Sequence, residues 1–105
     1  MKVLLHHTVP YPVTDFLQKH DLATADEMGW AKLNNGKLLE AAERPGFQVF
    51  ITADKHLSYQ QNRTGRQLAL VVLSTNNWAL IKQNIPAITK AIDFAQHGSF
   101  TYVDI

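Results

Sequence analysis

Four short stretches carry side chains suited to chemistry: His6-His7 after one apolar run, Asp26-Glu27 after a second, Thr52-Ala53-Asp54 after a third, and the polar segment from Tyr59 to Arg66. Carboxylates such as Asp54 and Glu27 supply the hard oxygens that Mg²⁺ or Mn²⁺ prefers, and an ion held there can activate water against a phosphodiester. An imidazole such as His6 ligates Mn²⁺ or softer ions, Zn²⁺ or Ni²⁺, or moves a proton near neutral pH. Neighbouring residues on a strand face opposite ways, so His6 and His7 do not chelate one ion together. Gln60, Arg63 and Arg66, with Tyr59 beside them, offer amide, guanidinium and aromatic groups that suit phosphates and unstacked bases. Lys37 is a further candidate phosphate contact, or a counter-charge for Asp54.

Each residue also has a plain structural role. Asp54 can cap a short helix. His6 can be a buried, hydrogen-bonded imidazole. Glu27 can bond backbone N–H groups near Gly29, and Lys37 can be a solvated helix lysine. Arg66 can tether its loop to Asp54.

The elements that must position these groups alternate regularly. Residues 2–5, 22–25, 47–52, 68–73 and 100–105 read as strands; "LALVVL" is apolar throughout, as a central strand buried on both faces would be. Helices are expected over 12–20, where Val13, Phe16, Leu17 and His20 share a face, and over 36–44, capped by Asn34 or Asn35 and stopped by Pro45-Gly46; residues 54–61 read as a short helix or turn. Another helix runs over 77–96, where Trp78, Ile81, Ile85, Ile88, Ile92 and Ala95 step by threes and fours. Pro86 should kink it or start a second segment capped by Asn84. The order β-α-β-α-β-α-β-α-β predicts an α/β fold: one three-layer domain over 1–105 with a five-stranded, mostly parallel sheet, right-handed crossovers and helices on both faces. Ligands of such sheets bind beyond the carboxyl ends of the strands. His6, Glu27 and Asp54 all belong there.

The chain has 105 residues, a net charge of +1 and no cysteine. That excludes disulfides, thiolate zinc sites and a global basic footprint for nucleic acid. Its longest apolar run is far shorter than a membrane span. A cytoplasmic protein with no membrane partner is expected.

The stretches "VLLHHTVP", "ADEMGWAKLNNGKLLEAAE", "GFQVFITADKHLSYQQNRTGRQLALVVLST", "NNW" and "IDFAQHGSFTYVDI" resemble the small PIN-like proteins related to PIN-domain nucleases of toxin–antitoxin systems. The resemblance implies a ribonuclease-like activity with Mg²⁺ or Mn²⁺, RNA and an antitoxin protein as partners, and a homodimer. Its pattern places an Asp at the end of the first strand, where this chain has His6. It places an acid early in the second helix, where this chain has Lys37, and an Asp in a T-x-D after the third strand, matched by Thr52-Ala53-Asp54. Two functions follow as expectations. One is a ribonuclease with an altered metal site built on Asp54, His6 and Glu27. The other is a metal-free, non-catalytic module that binds RNA or protein.

Overall fold

The computed structural model describes residues 1–54 and 67–105. Five strands form one all-parallel sheet: β1 (Lys2–Leu5), β2 (Asp21–Thr24), β3 (Val49–Thr52), β4 (Ala69–Leu73) and β5 (Phe100–Val103), in the order β2-β1-β3-β4-β5. Chain order reverses between β1 and β3. The expected short helix or turn over 54–61, and Gln60, Arg63 and Arg66, lie outside the described residues.

Period-two alternation sorts the strand side chains into two cores. Val3, Leu5, Val49, Ile51, Val71 and Leu73 face one side, and Leu4, Phe50 and Leu70 the other. The first core is covered by a 3₁₀ helix, η1 (Tyr11–Phe16), through Val13, with Leu17 just beyond it. It is also covered by α2 (Trp78–Ile81) and α3 (Ile85–Asp93), which a single 3₁₀ turn, Lys82–Asn84, separates. The second is covered by α1 (Asn35–Glu43) through Leu38, Leu39 and Ala42. Trp30 packs against this second core, edge-on to Phe47.

Local chemistry explains most boundaries. The Asn34 side chain accepts the Lys37 N–H at 3.0 Å and starts α1. Asn77 does the same for α2, accepting from Ala79 and Leu80. Asn84 does not cap α3 as expected; its amide donates to the Leu80 carbonyl instead. Pro86 sits in the first turn of α3, where its missing N–H leaves no bond unmade. Gly98, at φ +72°, turns the chain from α3 into β5.

Two further expectations are corrected. The predicted helix over 12–20 is the shorter η1, ending at Phe16. The Thr14 carbonyl accepts the Leu17 N–H three residues on, and the Gln18 side-chain amide takes the place of the backbone N–H that an α-helix would bring there. The crossovers also do not share one hand. The β1-to-β2 step over the η1 face and the opposite step, β2 to β3 over the α1 face, have the same hand. The β4-to-β5 step runs in the direction of β2 to β3 but over the η1 face, so its hand is opposite. Such connections share a right hand in about 98% of cases. Here the Ile81, Ile88 and Ile92 stripe closes onto Val13 and Leu17, the apolar surface that η1 leaves open on that face.

Candidate functional site

The carboxyl ends of β1 and β3 meet where the strand order reverses, the position at which open parallel sheets bind ligands. His6 follows β1 directly and continues its ladder, donating its N–H to the Ile51 carbonyl at 2.9 Å. Its parity is that of Leu4, so the ring turns towards the α1 face and lies 5.4 Å from the Phe50 ring. The residue is only 4% exposed.

A closed polar triangle holds the imidazole. His6 Nδ1 is 2.8 Å from Thr52 Oγ1 and 3.0 Å from Thr8 Oγ1, and the two hydroxyls are 3.3 Å apart. Each hydroxyl also accepts a backbone N–H at 3.0 Å, Thr52 from Asp54 and Thr8 from Ala53. The network ties the segments after β1 and β3 together through side chains 44 to 46 residues apart in sequence. Burial lowers the His6 pKa to about 4, and the neighbouring His7 adds to this. The carboxylates of Asp54 and Asp26 pull the other way without offsetting it. A buried imidazole held among uncharged hydroxyls stays neutral at pH 7.

The other expected residues divide. Asp54 is half-buried beside the triangle and acts electrostatically on His6. Glu27 is exposed in the turn after β2, its N–H bonded to Thr24 Oγ1. The acid of that turn that His6 senses is Asp26, the residue before it. Gly29, at φ +78°, completes the same turn. Lys37 is exposed on the first turn of α1 and makes no ion pair with Asp54, so it is not that residue's counter-charge. His7 is exposed in the turn beyond β1, where strand alternation no longer holds: its ring centroid lies 4.2 Å from that of His6, on the same side rather than the opposite one expected.

Thr8 and Thr52 are the polar side chains at the strand ends to which sequence reasoning assigned no role of their own. The signal was present: Thr52 shares the parity of Phe50 and therefore of His6. The donor set does not suit Mg²⁺, which asks for several hard oxygens in near-octahedral array. Among the described residues, no group of three or more His, Asp or Glu side chains is placed to hold an ion. No described helix is long and apolar enough to cross a membrane.

Comparison with protein-family models, curated proteins and solved structures finds no match to this chain. What the fold and site define on their own is an all-parallel α/β domain with a neutral imidazole locked at its switch point.

Proposed function

We propose that the chain is a PIN-like protein, related to RNA-cleaving toxin components, whose altered strand-end site no longer supports metal-dependent hydrolysis. The sequence resemblance supports the descent. So does the T-x-D triplet at the end of β3, which stands beside His6 at the switch point. The observation that carries the altered site is the His6 triangle. Where hydrolysis needs a carboxylate facing an ion, this chain has an imidazole whose Nδ1 is engaged by Thr8 and Thr52. Its remaining function is to bind single-stranded RNA, and the amides and arginines of Gln60, Arg63 and Arg66 are the groups suited to it.

The test is cleavage of a labelled single-stranded RNA with Mg²⁺ or Mn²⁺. Wild type should cleave no faster than Asp54→Ala, while a filter-binding assay retains the RNA on both. A double variant, His6→Asp with Lys37→Glu, should gain ion-dependent cleavage. Wild-type cleavage that needs both the ion and Asp54 would overturn the proposal.

A further inference from the structure

The proton count around His6 fixes more than its neutrality. Thr52 and Thr8 each give one lone pair to a backbone N–H, from Asp54 and Ala53. Each hydroxyl keeps one proton and one lone pair. Suppose first that Nδ1 carries no proton. Thr52 then donates to Nδ1 across 2.8 Å, and Thr8 donates to Thr52 across 3.3 Å. Both hydroxyl protons are used inside the triangle. Suppose instead that Nδ1 is protonated. It donates to Thr52, Thr52 donates to Thr8, and the two lone pairs of Thr8 are then filled. The Thr8 proton has no acceptor left in the triangle.

The first arrangement keeps both hydroxyl protons inside the triangle, whereas the second requires the half-buried Thr8 to donate outside it. The first places the ring proton on Nε2. It also leaves neither ring nitrogen with a free lone pair, since Nδ1 accepts from Thr52 and Nε2 carries hydrogen. A metal ion binds imidazole only through such a lone pair.

We infer that Thr8 and Thr52 hold His6 as its Nε2–H tautomer, which closes this nitrogen pair to metal ions and joins the ends of β1 and β3 without one. The inference deepens the proposed function, resting on that reading only in taking the strand ends as the site. It makes His6 a positioning residue and a hydrogen-bond donor, rather than a ligand. It also gives the site a definite preference: the group that His6 contacts in a bound molecule is an acceptor, such as a hydroxyl, carbonyl or phosphate oxygen.

Two measurements on the unaltered chain test it. In a ¹⁵N-labelled sample at neutral pH, long-range ¹H–¹⁵N correlation should show the His6 proton on Nε2 and none on Nδ1. Thermal unfolding should give the same Tm in EDTA, Mg²⁺, Mn²⁺ and Zn²⁺. A His6 proton on Nδ1 would overturn the inference. So would a saturable rise in Tm with any of these ions that His6→Gln abolishes. Ion-dependent RNA cleavage by a chain that passes both measurements would remove the proposed function and leave the tautomer standing.

Discussion

Two histidines with two polar partners each sit in opposite settings. His6, at the carboxyl edge of the sheet, has two threonine hydroxyls as its ring partners among the described residues. His20, just before β2, meets the Asp93 carboxylate of α3 at 3.0 Å, and Lys19 binds the other oxygen of that carboxylate at 2.7 Å. The first group is sealed and uncharged. In the second, Lys19 foremost, with a hydrogen bond from His20, holds the Asp93 carboxyl below the usual carboxylate range. The same side chain therefore serves as neutral mortar in one place and as the neighbour of a Lys19–Asp93 ion pair in the other. What surrounds the ring decides which, because burial penalises an imidazolium that has no anion to pair with.

Acid should separate the two most sharply. The His6 pKa is about 4 in the folded chain and 6.5 as a free side chain. Its contribution is therefore fully present above pH 6.5 and is lost as pH falls from 6.5 through 4. The unfolded chain binds the extra proton in that window, so stability rises with pH there. Roughly 3 kcal/mol should disappear across it, since each pH unit between the folded and unfolded values is worth about 1.4 kcal/mol. Urea unfolding at stepped pH checks this, and His6→Gln should flatten the slope in that window.

Thr52→Val comes next. It keeps the shape but removes the hydroxyl that accepts the Asp54 N–H and leaves His6 Nδ1 with Thr8 alone, and about 2 kcal/mol should be lost, as is usual when buried hydrogen bonds are removed. A loss no larger than that of Thr75→Val, at a half-buried position after β4, would break the contrast between the two regions. The smallest effect belongs to the ion pair. Lys19→Ala should change the Tm little at low salt and not at all at high salt, because exposed pairs are screened. A salt-independent loss would show that Lys19 acts through packing.

Much of this fold was legible because its signals are local. "VLL" and "LALVVL" announce buried strands by unbroken apolarity, and Ile81, Ile88 and Ile92 announce a helix face by their spacing; all three are fully buried. Asn34 and Asn77 cap helices for reasons confined to a few residues. The length of η1 was less legible, since it turns on where the Gln18 side chain goes. The site was half legible. Strand-end logic gathers His6, Thr8, Thr52 and Asp54, but only parity and register show that the threonines face the imidazole. The choice of Asp26 over Glu27 depends on one tight turn, which places the first of two adjacent exposed acids within reach of His6.

The opposite-handed β4-to-β5 connection bears on how the chain comes to be folded. Had that connection crossed the other face, η1 and the β1–β2 pair would have to be covered from elsewhere. As it stands, Val13 and Leu17 wait for Ile88 and Ile92, and the Lys19–Asp93 contact spans 74 residues. Contacts of such sequence separation form late and slow the folding of a small domain. During synthesis the first third of the chain emerges with one apolar face bare, and that face is covered only when the last third leaves the ribosome. A nascent chain halted before Trp78 should therefore be protease-sensitive along η1 and β2, however complete β1, β3 and α1 are by then.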